Sequence, residues 1–249
     1  MSIAKKLKKK ALTIAGHISI VDVRIGLTYT AVLLNNGQLG VAYTFHRNLT
    51  GGCSVLQGLR PLAGRSAPEL LALFDSTEKV ELAVALATSN ALSNSMKGHY
   101  LEGDVLEHLE LRPDDRVGMV GYFAPLVPLL RKKVSSLKIF EQIDEPKGDL
   151  LPERDVYKYL PQCQVALVTS TAIVNHTIDG LLDAAQSCRE VVLLGASTPL
   201  VREAFAGTPV TFLSGVVVTR PDDIMRVVSE GGGMRLFKNY IKKVNISLK

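Results

Sequence analysis

Apolar positions change their rhythm along the chain. Residues 27–34 and 39–45 form two runs rich in Thr, Val and Tyr, separated by Asn35, Asn36, Gly37 and Gln38. Strand-like runs around an Asn-Gly pair predict a β-hairpin closed by a primed turn with positive φ angles. An earlier run, residues 18–25, predicts a third strand. Ser66, with Pro68 and Glu69 behind it, forms a capping-box pattern that opens a helix carrying Leu70, Leu71 and Leu73. A second helix is expected from Val80 to about Leu92, dense in Ala and Leu and polar at its end, with Ser89, Asn90, Ser93 and Asn94. The first hundred residues therefore predict a small α+β domain.

Beyond residue 103 the pattern alternates. Asp104 and Glu107 suggest a capped helix over residues 105–111, and then five short apolar runs follow at 117–121, 137–140, 165–169, 191–195 and 210–213, with helical stretches between them. Continuous apolar strands joined by helical crossovers are the signature of a parallel sheet covered on both faces. The predicted fold class is α/β, with a Rossmann-like parallel sheet over residues 101–249 behind a smaller α+β domain over residues 1–100.

In such a sheet, ligands bind beyond the carboxyl ends of the strands, which directs attention to three loops. The first holds Gly121, Tyr122 and Phe123, ahead of a helix expected to have Ala124 and Pro125 in its first turn. The run is not a G-x-G-x-x-G fingerprint, and neither Asp22 nor Glu141 makes it a dinucleotide site. The second runs from Thr169, Ser170 and Thr171 to Asn175, His176 and Thr177, a cluster of hydroxyls and an amide suited to capping a helix or to holding an anion. The third is Gly195-Ala196-Ser197-Thr198-Pro199, where Thr198 reads as an N-cap and Pro199 as the first helical residue. Converging on one rim, the three loops would suit a carboxylate or phosphate. Gly231, Gly232 and Gly233 allow a close approach or a hinge, with a plain flexible connection the favoured reading.

The 249 residues carry a net charge of +5, but the excess sits at the ends. Residues 1–10 hold five Lys and residues 234–249 hold Arg235, Lys238, Lys242, Lys243 and Lys249, with no acid in either stretch; the remainder has 19 basic and 24 acidic residues. Solvated faces of terminal helices account for both basic ends, so no nucleic-acid partner is expected. No apolar run is long enough for a membrane span, and three cysteines suit a reducing cytoplasm. Cys163 and Cys188 each precede a predicted strand and read as buried structural thiols at the edge opposite the polar loops. The five His and three Cys show no metal-binding spacing.

Several motifs in order, Val117 through Phe123, Val168 through Thr177, Leu193 through Pro199 and the glycine run before Met234, resemble the Rossmann-like domain of the family named for putative heavy-metal chelation. The hairpin over residues 26–45, with the helix holding Asn90 and Ala91, resembles the enolase N-terminal-like domain that precedes it in that family. The resemblance implies a site in an interdomain cleft and a role with a heavy or transition metal, held directly or as a chelate. It carries over Gly121, Tyr122, Phe123, Thr169, Thr171, Asn175, Thr177, Gly195, Ser197 and Thr198, with Asn90 facing them from the smaller domain. Thr, Ser and Asn ligate soft metals weakly, which favours an organic anion that chelates metal over direct ligation. His46, Cys53 and His176 are the residues a directly bound metal would need. Only Tyr122 and His176 in these loops titrate usefully, so binding ranks above catalysis. An enzyme of chelator or cofactor metabolism with a nucleotide-type cofactor is the alternative, and self-association stays open.

Overall fold

The computed structural model describes residues 1–45 and 54–249. Its first element, α1 (Ile3–Ala15), buries Ile3, Leu7, Ala11 and Ala15, a four-residue spacing that leaves the lysines on the outer face. Lys8 and Lys10 pair with Asp75 and Glu203. Strands β1 (Ile20–Ile25), β2 (Tyr29–Leu34) and β3 (Leu39–Tyr43) make a small antiparallel sheet in that order. At the hairpin Gly37 has φ +80°, but Asn36 does not have positive φ. The amide of Gly37 donates to the Leu34 carbonyl at 2.9 Å. The turn is thus a three-residue loop with glycine in the left-handed position, not the predicted primed turn.

Helix α2 (Ala67–Leu71) begins where expected, with the Ser66 amide donating to the Glu69 carboxylate at 2.8 Å. Helix α3 (Lys79–Ser93) is apolar on nearly all sides, and it is accordingly buried from Val80 to Leu92 except at Glu81. It lies against β2 and β3. The approach is so close that a Cβ on Gly40 would fall 2.1 Å from the Ala91 nitrogen, which only glycine allows.

The rest of the chain builds an eight-stranded, mostly parallel sheet from β4 (Leu101–Glu102), β5 (Arg116–Val120), β6 (Ser136–Glu141), β7 (Leu150–Pro152), β8 (Val165–Thr169), β9 (Glu190–Leu194), β10 (Phe212–Val218) and β11 (Ile241–Ser247). The order is β4-β11-β10-β9-β8-β5-β6-β7, parallel from β10 through β7 and antiparallel at β10–β11 and β11–β4. Between the strands lie α4 (Val127–Arg131), α5 (Val156–Tyr159), α6 (Ile178–Ala184), α7 (Pro221–Ser229) and α8 (Met234–Phe237). Side chains of β5, β8 and β9 are buried on both faces, as a covered parallel sheet requires.

Several expectations need correction. Of the basic carboxyl end, Arg235 lies in the short helix α8, but Lys242 and Lys243 lie in strand β11, where Val244 and Ile246 find partners across β10 that no isolated helix would offer. The helix expected over 105–111 is a single 3-10 turn, Val105–Glu107, capped by Asp104. The helix after the first loop starts at Val127, not Ala124. The last predicted apolar strand extends to Val218 instead of stopping at Leu213. The glycine run is a packed contact, not a loose connection: a Cβ on Gly232 would meet Val227 Cγ1 at 2.6 Å, and the Thr28 hydroxyl donates to the Gly232 carbonyl at 2.6 Å.

Candidate functional site

Strands β5, β8 and β9 are neighbours, so the loops at their carboxyl ends emerge side by side. A Cβ on Gly121 would lie 3.0 Å from Thr169 Cβ, and one on Gly195 would lie 3.0 Å from Ser170 Oγ. The three loops therefore touch in succession along one rim. Gly121 has φ +88°, in the left-handed region that favours glycine, and this lets the chain leave β5 sharply across Thr169.

In the first loop the Tyr122 amide donates to Glu141 Oε2 at 2.9 Å, which ties the loop to the end of β6. The Tyr122 side chain is exposed. Phe123 is half-buried against the apolar cluster that includes Val105, Leu126 and Leu130, so its ring serves packing. In the second loop Thr169 Oγ1 lies 3.0 Å from Thr171 Oγ1 and accepts from the Thr171 amide at 3.4 Å. Asn175 Oδ1 accepts from the Thr177 hydroxyl at 2.7 Å and from its amide at 3.2 Å, a local turn at the start of α6. His176 is exposed with φ +63°.

The third loop is not a helix start. Thr198 and Pro199 are buried in irregular chain, and a 3-10 turn begins only at Arg202. The cause is α3. Asn94 Nδ2 donates to the Thr198 carbonyl at 2.9 Å, and Asn94 Oδ1 accepts from the Leu200 amide at 2.9 Å, so the groups a first helical turn would use are already bonded. Asn90 Nδ2 donates to the carbonyls of Val41 (2.9 Å) and Ser197 (3.1 Å), and Ser197 Oγ accepts from the Tyr43 amide at 2.8 Å. Asn90 does face the third loop, and it is held there by backbone.

This junction leaves polar capacity unspent. Asn90 Oδ1, Ser170 Oγ and Thr198 Oγ1 are buried and have no hydrogen-bond partner. Buried polar groups are almost always satisfied, and leaving one unpaired costs about 1–3 kcal/mol. Ser170 and Asn94 were not among the expected site residues. Ser170 sits inside a run already singled out, and Asn94, the C-cap of α3, follows Asn90 by four residues, a spacing that puts both amides on one face. Beside the junction, Tyr29 packs edge-on to Tyr43 and Phe237. Burial, together with the neighbouring Tyr43, pushes its hydroxyl up to about 12, so it stays neutral at ordinary pH.

Direct heavy-metal ligation does not fit the rim. Apart from the exposed His176, its donor side chains are hydroxyls, amides and the Glu141 carboxylate, hard oxygen donors, and the described residues hold no group of three or more His, Cys, Asp or Glu that could grip an ion. His46 and Cys53 lie outside the described residues. Cys163 and Cys188 are buried and unbridged, as expected, and burial with the nearby Cys163 sulfur raises the Cys188 thiol to about 12.

Fold and rim together define a mixed α/β protein in which a small antiparallel sheet and its helix close over the polar edge of a large, mostly parallel sheet. The chain belongs to the DUF364 family, described as "Putative heavy-metal chelation", whose profile matches residues 104–247; a companion family with the same description, DUF4213, matches residues 8–93. An uncharacterized protein of Methanocaldococcus jannaschii is 25% identical, with 99% of this chain and 98% of that protein aligned. Crystal structures of two DUF364 proteins of unknown function share the fold. That from Pyrococcus horikoshii has TM-score 0.86 at 26% identity, over 99% of this chain and 100% of its own. That from Desulfitobacterium hafniense has TM-score 0.83 at 22% identity, over 98% of each chain. Among the described residues no helix is long and apolar enough to cross a membrane.

Proposed function

We propose that the protein binds a small anionic chelator, or its metal chelate, where the carboxyl rim of the large sheet meets α3 and the small sheet. The observation that carries this reading is the set of three unspent buried groups, Asn90 Oδ1, Ser170 Oγ and Thr198 Oγ1. Two are hydroxyls able to donate to a carboxylate or phosphate oxygen; the third accepts a proton-bearing group. On this reading the chain divides into domains at residues 1–100 and 101–249, enolase N-terminal-like and Rossmann-like, and the metal arrives inside its organic ligand. Thr169, Thr171, Asn175 and Thr177 supply the outer wall, and Gly121 and Gly195 let backbone approach the ligand.

A second reading, an enzyme of chelator or cofactor metabolism with a nucleotide-type cofactor, draws on Glu141. Its carboxylate stands at the end of β6, the neighbour of β5, in contact with the turn after Gly121. A carboxylate there is placed to accept from a ribose diol. Native mass spectrometry of freshly purified protein, with metal analysis of any released molecule, tests both readings. A carboxylate or phosphate chelator supports the first and a nucleoside the second. Protein that carries nothing, and gains no thermal stability from citrate, metal citrate or a nucleoside, refutes both.

A further inference from the structure

Strand β1 is an edge of the small sheet, and only part of it is covered. The Ile20 amide donates to the Arg65 carbonyl and the Ile20 carbonyl accepts from Gly64, both at 2.8 Å, which closes the edge at its amino end. At the other end the Gly26 amide turns inward to Tyr29. The alternation of an antiparallel ladder then points the amides and carbonyls of Ile25 and Val23 outward. Among the described residues nothing bonds to those groups from outside. The same stretch exposes Val21 (50%) and Ile25 (39%).

Residues 21–25 read Val-Asp-Val-Arg-Ile, which is self-complementary about Val23. If a second copy of β1 is laid antiparallel across a two-fold axis through Val23, Val21 meets Ile25 and Asp22 meets Arg24, twice each. Facing residues in an antiparallel pair share a side of the sheet, so both charge pairs form and both apolar pairs are covered. Asp22 and Arg24 already lie on one side, paired within the chain at 2.7 Å, with Arg24 also donating to Ser229 on α7. The groove beside them, about 340 Å³, is lined by Asp22, Arg24, Asp222 and Arg226 among others. Mixed charge of this kind suits another copy of itself better than a uniformly acidic or basic partner.

We infer that the protein self-associates through β1, joining two three-stranded sheets into one six-stranded antiparallel sheet. The pairing covers few residues on each side, at the small end of specific interfaces, so the dimer forms reversibly with a dissociation constant on the order of 10 µM. The register shift between Ile20 and Asp22 places Val21 at the bulge, so the ladder ends at Val21 and extends no further toward Ile20.

Sedimentation velocity of the full chain across about a hundredfold concentration range centred on that value is the first test. A shift from monomer to dimer is expected, and a monomer throughout overturns the inference. The second test is a charge exchange. Asp22→Arg and Arg24→Asp each put like charges opposite one another, so each variant alone should be monomeric. Their equimolar mixture restores both opposite-charge pairs and should dimerise again. Dimers in either single variant, or no dimer in the mixture of folded variants, would place the contact elsewhere and refute the inference.

Discussion

The two ends of the parallel strands use polarity in opposite ways. At the amino end the buried carboxylates are paired. Asp115, just before β5, is buried and bonded to the Arg189 guanidinium at 2.8 and 3.1 Å and to the Arg112 amide at 2.8 Å. Glu190, the first residue of β9, is buried between the Lys249 ammonium and the Thr211 hydroxyl. Gln164 stitches β5 to β8, accepting from the Arg116 amide on its side chain and from the Arg189 amide on its carbonyl. The carboxyl end carries mostly hydroxyls and amides, with the Glu141 carboxylate at the end of β6, and Asn90 Oδ1, Ser170 Oγ and Thr198 Oγ1 are left without partners. Paired carboxylates hold the strands in register at the amino end, where Arg189 Nε is nonetheless buried without a partner, whereas the unpaired hydroxyls of the carboxyl end keep hydrogen-bonding capacity for something that arrives later.

The sharpest way to break that contrast is at Asp115. Replacing it with Ala strands the Arg189 guanidinium and leaves the Arg112 amide unpaired, so unfolding in urea should show a loss of about 3 kcal/mol. The pH dependence carries the same signature. Burial alone would raise the Asp115 pKa, but the hydrogen bonds from Arg189 and Arg112 outweigh it and hold the carboxyl below its ordinary value. A depressed folded pKa means stability that is present above the unfolded value of about 3.9 and lost as the pH falls through the folded one. The wild-type melting temperature should drop below about pH 4, and Asp115→Asn should flatten that drop. An unchanged acid limb would show that this pair does not govern acid stability.

Next in size is Asn94→Ala. It removes bonds to the Thr198 and Val216 carbonyls and the Leu200 amide, all from a buried position between the two sheets. A loss of about 2 kcal/mol is expected, with faster amide exchange in residues 195–200 than in β5 or β8. A stability loss without local exchange would mean that the amide supports α3 and not the loop.

The amino end was legible in part because its signals are local. Runs such as 165–169 and 191–195 are long, apolar and β-branched, and the strands lie within a residue of them. Cys163 and Cys188 were placed by the same logic. The carboxyl rim mixes local and distant causes. Thr198-Pro199 carries every local mark of a helix start, yet Asn94, about a hundred residues earlier, decides otherwise. Strand β11 was hidden because its lysines mimic a solvated helix, while the partner that makes it a strand, β10, lies more than twenty residues away. Tyr122, Thr169 and Gly195 could be chosen from chain position alone; that the third loop is locked by Asn90 and Asn94 could not.

The smallest expected effect discriminates most. Thr198→Val keeps the shape of a fully buried side chain whose hydroxyl has no partner, and Ser170→Ala removes another such hydroxyl. If these groups served only the fold, they would be bonded, and losing them would cost about 1 kcal/mol each. Unbonded hydroxyls already carry a burial penalty, so each variant should unfold within about 0.5 kcal/mol of the wild type, or slightly later. Stabilisation by the co-purifying molecule, or by whichever of citrate and metal citrate binds the wild type, should fall at the same time by tenfold or more in apparent affinity, roughly the worth of one hydrogen bond to a charged oxygen. Clear destabilisation with ligand binding intact would make the carboxyl rim as structural as the amino end, and the contrast between the two ends would collapse.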